Sequence, residues 1–345
     1  MNDNRMNAIV FEAPGQLAYR QVERPVCGPD EVIVRIRRIG ICGTDVEMFH
    51  GHIHKAKFPI IPGHEWAGEI VELGGAVSGY RIGDRVVGET TISCGRCRRC
   101  RSGAYNMCER LSENGIFGKN GAACEYMAFP VHGMHRFDSR LSYDQACLIE
   151  PSAVAFRGLE KLGLSQQDTL AVIGPGTIGL LTVAAAKHRG VRKVVLVGFQ
   201  ESRLQLGLKL GADEIIDLSR ESYAERALEA TNGDLFSAVV EASGNAEACE
   251  QLFSIVGPGS KVLLLGTYGE KLPRIDANKI VDNDMVIHGS LSSPGVWDAV
   301  VDWMESTSLP VTDLITHHFA LSEYEAALRL IEKRDPSVLK VMLEP

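Results

Sequence analysis

The apolar residues follow two different patterns along the chain. Up to about residue 150 they come in short runs cut by glycine and proline. Val32–Ile36 alternates, Ile70–Leu73 runs into Gly74-Gly75, and Arg85–Val87 follows the Gly83-Asp84 turn. Short runs between turn formers predict a β-rich, loop-rich region. Beyond Pro151 the runs stop alternating: Leu170–Ile173, Val194–Val197, Ala238–Val240 and Val262–Leu265 are continuously apolar. Such runs suit central strands of a parallel sheet covered on both faces. Helical segments, Glu201–Leu210 and Ala246–Val256, lie between them, so the pattern predicts βαβ units and a doubly wound sheet. Two further helices are expected in the tail, Val296–Ser306 and Ser322–Lys333. Thr169–Ala186 carries no charge and is long enough to span a membrane. Gly174-Pro175-Gly176 near its middle instead predicts a strand, a tight turn and a helix.

Composition narrows the class. At ~150 residues per domain, 345 residues suggest about two domains. Hydrophobic residues make up 45% and charged residues 23%, which excludes a disordered chain. The net charge of -8 argues against a nucleic-acid or anionic-membrane binder. The first fifteen residues carry charges and no apolar segment, so no leader is expected and a cytoplasmic location is. The nine cysteines are an odd number, which fits poorly with a fully paired disulfide framework.

Four of them are clustered as Cys94-x2-Cys97-x2-Cys100-x7-Cys108. Two-residue spacings let a turn present neighbouring thiolates to one tetrahedral zinc, and four thiolates leave no open position. The expected role is structural, with an iron–sulfur cluster as the other reading of the same spacing. Arg96, Arg98, Arg99 and Arg101 surround the cluster. In an acidic chain they read as a solvated loop offsetting the thiolates' charge rather than as a nucleic-acid ribbon.

Gly174-Pro175-Gly176-Thr177-Ile178-Gly179 is a GxGxxG turn between an apolar run and a helical one. That context predicts a dinucleotide site, with the pyrophosphate against the helix N-terminus. The next apolar run ends in Gly198-Phe199-Gln200-Glu201. The acid that would hold the adenosine ribose and repel a 2′-phosphate is absent from the strand end. Arg203 can pair with such a phosphate or serve as a surface residue, so NAD and NADP both stay open.

Glu150 sits in the apolar run Leu148-Ile149-Glu150-Pro151, where a buried carboxylate is costly unless it meets a metal or a cation. Cys42, His64, Glu65 and Glu150 offer a mixed donor set for a second zinc with an open position. Read from spacing alone, Cys42 is equally a packed thiol, His64 a loop histidine and Glu150 a helix-capping acid.

A family resemblance adds to this. The chain resembles the zinc-dependent medium-chain dehydrogenase/reductase family, which includes the alcohol, sorbitol and threonine dehydrogenases. The resemblance rests on Gly40-Ile-Cys-Gly-Thr-Asp45, Pro62-Gly-His-Glu-Trp-Ala-Gly-Glu-Ile-Val71, Gly83-Asp-Arg-Val86, the cysteine quartet and Gly174–Gly179. Glu241-Ala-Ser-Gly244 and Gly266 look like the family's cofactor-domain strand ends. The resemblance implies an α/β fold: a GroES-like catalytic domain over residues 1–152 and 293–345, and a Rossmann NAD(P)-binding domain over 153–292. It implies two zincs per chain, one structural and one catalytic. The catalytic zinc maps onto Cys42 and His64, with Glu65 as ligand or near-ligand and Glu150 bound directly or through water. Asp45 fits the acid that orients the histidine, and Thr44 the hydroxyl that passes the substrate proton outward. The implied reaction transfers hydride from a small-molecule alcohol to nicotinamide, with zinc lowering the hydroxyl's pKa. A homo-oligomer, dimeric or tetrameric, is implied as well, with neither nucleic acid nor membrane as partner. Two departures bear on the substrate. Glu47 stands where many relatives have the relay histidine, leaving the relay to Glu47 or another route. Leu291-Ser292-Ser293 replaces the Arg-Tyr pair of sorbitol dehydrogenases. Trp66 and the Thr316–Leu330 tail are similar to cyclitol and aminocyclitol dehydrogenases, which makes a polar secondary alcohol the expected substrate.

Overall fold

The computed structural model describes residues 4–220 and 222–345. They form two units. One takes the chain up to Ala153 together with Ser292–Thr307 and Leu314–Pro345; the other takes Val154–Leu291 and Ser308–Asp313.

In the first unit the short apolar runs become strands of a seven-stranded sheet. The long strand Glu31–Ile41 lies at its centre and pairs antiparallel with Glu65–Leu73, with Tyr126–Pro130 and with Lys340–Glu344. Irregularities at Ile33/Val34 and Ile36/Arg38 in its pairing with Glu65–Leu73 bend that strand, as β-bulges do. The register sets Gly40 opposite Glu65 and Ile39 opposite Trp66. Trp66 packs edge-on against Phe129, with ring centroids 5.0 Å apart. A Cβ on Gly88 would lie 2.4 Å from the Trp66 ring, so only glycine lets the Arg85–Gly88 strand approach. A smaller three-stranded sheet joins Thr91–Ile92, Ser112–Asn114 and Gly118–Lys119.

In the second unit the continuous apolar runs form a six-stranded parallel sheet. Its strands are ordered Glu214–Asp217, Lys193–Gly198, Thr169–Ile173, Phe236–Glu241, Val256–Leu264, Val286–Gly289. In order of sequence this is 3-2-1-4-5-6, the doubly wound dinucleotide-binding arrangement. All five residues of Thr169–Ile173 are buried, as a strand covered on both faces requires. The uncharged stretch resolves into this strand, the glycine turn and the helix Thr177–His188. No helix of the described residues is long and apolar enough to cross a membrane.

Three features differ from the sequence pattern. The helix expected over Ala246–Val256 stops at Gln251, passes through a 3-10 turn at Leu252–Ser254 and gives way to a strand from Val256. There Val256 pairs with Phe236 in the sheet, and tertiary pairing overrides a weak helical preference. The tail holds two unexpected strands, Ile315–Ala320 and Lys340–Glu344, besides its helices Trp297–Ser306 and Tyr324–Glu332. Ser308–Asp313 packs with the second unit although it lies within the tail.

Candidate metal centre and cofactor turn

Cys42 caps the helix Gly43–Phe49 at the end of the long central strand. Its backbone N–H donates to Asp45 Oδ2 at 2.8 Å, which fixes the cap and buries Asp45. Glu65 opens the neighbouring strand and His64 immediately precedes it, both buried. One donor atom each from Cys42, His64 and Glu65 lies within 4.8 Å of the others. Asp45 Oδ1 stands 3.6 Å from His64 Nδ1, and neither atom has a hydrogen-bond partner. Burial pushes the His64 imidazole down, but Asp45 and Cys42 outweigh it and hold it well above its ordinary value. The donor set suits a divalent ion. It combines a thiol, an imidazole and a carboxylate at one buried point, with an acid behind the histidine.

Glu65 is not a free carboxylate. Lys340 Nζ donates to both of its oxygens, at 2.8 and 2.7 Å, and to the Ile41 carbonyl at 3.2 Å. Both side chains are buried, and opposing charges push the Lys340 ammonium above its ordinary value against the pull of burial. Lys340 lies in the short apolar run Val338–Leu343, the same kind of signal that singles out Glu150. Glu150 stands outside the three-residue cluster. It opens the helix Ile149–Leu162 and accepts a hydrogen bond from Thr90 Oγ1 at 2.7 Å. Burial, reinforced by the Glu65 charge and opposed by His64 and Thr90, pushes its carboxyl up to about 7. Thr44 Oγ1 lies 3.7 Å from Cys42 Sγ. Glu47 is exposed and bonded to His52 Nδ1 at 2.7 Å.

The four clustered cysteines also converge, with all four sulfurs within 4.8 Å of one another. Cys97 Sγ lies 3.4 Å from Cys100 Sγ and 3.9 Å from Cys108 Sγ; Cys94 and Cys100 are 4.0 Å apart. A tetrahedral ion with ~2.3 Å metal–sulfur bonds would hold its sulfurs ~3.8 Å apart, so this cage fits zinc. Backbone N–H groups of Arg96 and Cys97 lower the Cys94 thiol to about 6, and thiolate is the form a metal needs. Arg96, Arg98, Arg99 and Arg101 are all exposed around it. The lobe is tied back by Tyr105, whose hydroxyl donates to Glu89 Oε1 at 3.1 Å and accepts from the Gly295 N–H at 2.8 Å. Glu89 precedes the Thr90 that holds Glu150.

In the second unit the glycine turn has the shape a pyrophosphate needs. Gly174 has φ +102°, and a Cβ on Gly179 would land 1.9 Å from the Gly174 carbonyl. A Cβ on Gly176 would meet nothing within 4 Å. Gly176 caps the helix Thr177–His188 without a side-chain bond, so the first-turn N–H groups at Thr177 and Ile178 are open to an anion. Gly198, at the end of its strand, is covered by the Pro175 ring, and a Cβ there would lie 2.4 Å from Pro175 Cδ. An acid at that strand end is thus sterically barred as well as missing. Arg203 sits in the helix Glu201–Lys209. Gly266 presses on Glu241 and Gly244, 2.5 Å from a Cβ to each.

Known protein families match over both units. Residues 28–139 match the alcohol dehydrogenase GroES-like domain, and residues 177–306 match the zinc-binding dehydrogenase domain. The L-threonine 3-dehydrogenase of Burkholderia vietnamiensis is 35% identical over 91% of this chain and 92% of its own length. Among solved structures, a putative zinc-binding dehydrogenase from Sinorhizobium meliloti bound to NADP superposes with TM-score 0.92 at 29% identity, covering 99% of each chain. The 2R,3R-butanediol dehydrogenase of Bacillus subtilis superposes with TM-score 0.89 at 27% identity, again over 99% of each chain. On these matches over both of its units, the chain belongs to the zinc-dependent medium-chain dehydrogenase family.

Proposed function

We propose that this chain oxidises the secondary alcohol of a polar small molecule (a polyol, cyclitol, aminocyclitol or related compound), using zinc and NAD or NADP. The observation that carries the reading is the convergence of Cys42, His64 and Glu65 within 4.8 Å at a buried point. A threonine-type substrate is the second reading, favoured by relatives that are threonine dehydrogenases.

Cys42, His64 and Glu65, with Glu150 in reach of the same charges, would hold the catalytic ion, and Cys94, Cys97, Cys100 and Cys108 the structural one. Zinc supplies Lewis acidity toward the substrate oxygen, and the nicotinamide supplies the hydride acceptor. The chain's own residues do the rest. Asp45 holds the Cys42 cap and lies behind His64. Lys340 balances Glu65, and Thr90 orients Glu150. Thr44 passes the hydroxyl proton outward, accepting it as it gives up its own, and Glu47, bonded to His52, or another route carries it on to solvent. Gly174, Gly176 and Gly179 admit the pyrophosphate to the open N–H groups at Thr177 and Ile178. With Gly198 in place of an acid, nothing at the strand end selects against a 2′-phosphate. Arg203, on the helix that follows this strand end, is the cation proposed to meet such a phosphate, and Gly266 packs closely against Glu241 and Gly244 at a neighbouring strand end. The reading includes a cytoplasmic homo-oligomer, in keeping with nine unpaired cysteines.

The test is a screen of polyols, cyclitols and amino alcohols on zinc-quantified protein, followed as reduced-cofactor absorbance with NAD and NADP in parallel. Two zincs per chain and turnover with at least one alcohol are expected. Cys42→Ser should keep the fold and lose at least ~100-fold in turnover. Full turnover in that variant overturns the assignment.

A further inference from the structure

Beside the candidate catalytic centre lies a carboxylate that the reaction just described does not use. Glu113 is the middle residue of the strand Ser112–Asn114, which is laced to the centre on both sides. The next residue, Asn114, donates from its N–H to the Thr90 carbonyl at 2.8 Å and from Nδ2 to the Gly63 carbonyl at 3.4 Å. Thr90 holds Glu150, and Gly63 precedes His64. Glu113 itself is half-buried, and among the described residues its carboxylate has neither an ion pair nor a side-chain hydrogen bond. The charges that bear on it are His64 and Lys55, and burial still leaves its carboxyl above the ordinary range. Lys55 is exposed and spends its ammonium over the Phe117 ring, 5.2 Å from the centroid.

A second polar group on the same sheet face lacks a partner. Thr91 pairs directly with Glu113 across the antiparallel ladder, which sets their side chains side by side. The Thr91 hydroxyl oxygen is buried and unbonded. A buried hydroxyl and a half-buried carboxylate, both unpartnered, are costly to maintain unless a ligand partners them. A hydroxyl ligand brings one donor and no charge. An ammonium brings three donors and the missing positive charge, enough for Glu113 and Thr91 together.

We propose that Glu113, with Thr91, is a specificity-determining subsite for an ammonium group, so that the substrate is an amino alcohol rather than a neutral polyol. The inference rests on the alcohol-dehydrogenase reading and deepens it.

The experiment compares matched pairs differing only in amino against hydroxyl: 2-amino-1,3-propanediol against glycerol, L-threonine against 2,3-dihydroxybutyrate, and an aminocyclitol against its parent cyclitol. Each pair is followed by turnover and, separately, by calorimetric titration into the zinc-loaded protein. At least one amino member should bind and react at least about tenfold better than its hydroxyl partner, the worth of one charge-assisted hydrogen bond. Glu113→Gln should collapse that preference about tenfold or more through KM and through the calorimetric affinity, and Glu113→Asp should restore part of it. A preference unchanged in Glu113→Gln, or no preference in any pair, overturns the subsite while leaving the dehydrogenase reading intact. If no alcohol turns over, that reading fails, and the titrations still decide the subsite by the same criterion.

Discussion

Lys340 is surrounded by the apolar residues of its own strand, yet its ammonium is saturated by Glu65 and a carbonyl. Removing one partner of a buried pair leaves an uncompensated charge, which costs about 3–5 kcal/mol. Lys340→Met should therefore lower unfolding stability by about that amount in denaturant titration, and adding Glu65→Gln should recover most of the loss. A single variant as stable as the parent would show that Glu65 finds another cation. At this scale the quartet was legible from its spacing, whereas Cys42, His64 and Glu65 were singled out only by the family resemblance, each having an ordinary reading by itself; both groups do converge. Their partners were less so. Thr90 is an ordinary residue type in loop-rich sequence, and Lys340 meets Glu65 across 275 positions, a pairing no local pattern carries.

The glycine turn belongs to the scale of elements. The sequence motif supplies the strand, the turn and the helix, but it does not show that the middle residue, Pro175, lies over Gly198 on the next strand. Gly198→Asp is the obvious substitution for steering a Rossmann site toward NAD. Here its Cβ would fall 2.4 Å from a ring tied to the backbone. The single variant should lose about 1–3 kcal/mol of stability, the ordinary cost of overpacking. Gly198→Asp with Pro175→Gly should regain that stability and shift the NAD/NADP ratio toward NAD. Both readouts come from thermal melts and paired cofactor kinetics, and an unstrained single variant would refute the packing argument. The parallel strands were legible because burial on both faces forces continuous apolar runs. Ile315–Ala320 and Val286–Gly289 were not, because neither has a buried residue along its length and their sequences carry polar side chains.

For the molecule as a whole, the role proposed for the cysteine lobe is rigidity rather than chemistry. Cys97→Ser should remove one zinc per chain by metal analysis and lower the melting temperature by at least ~5 °C, since the ion's binding energy is folding energy. Because Tyr105 ties the lobe to Glu89, the loss should reach the Thr90–Glu150 contact more weakly than it reaches the lobe itself. An unchanged melt with one zinc missing would overturn the structural role. The two-unit organisation could be anticipated from where the apolar pattern changes near Pro151; the return of the tail to the first unit was implied only by the family resemblance, and its strand pairing with Glu31–Ile41 by neither. That return also sets a clock. The Lys340–Glu65 contact spans 275 residues, and synthesis at roughly 5–20 residues per second takes on the order of ten seconds to a minute to cover them. Throughout that interval the nascent chain holds Glu65 without its cation and the long central strand without its Lys340–Glu344 neighbour. An emerging first half therefore waits, the Ile39–Ile41 end of its central strand lacking its tail partner, until the nucleotide-binding unit has been made.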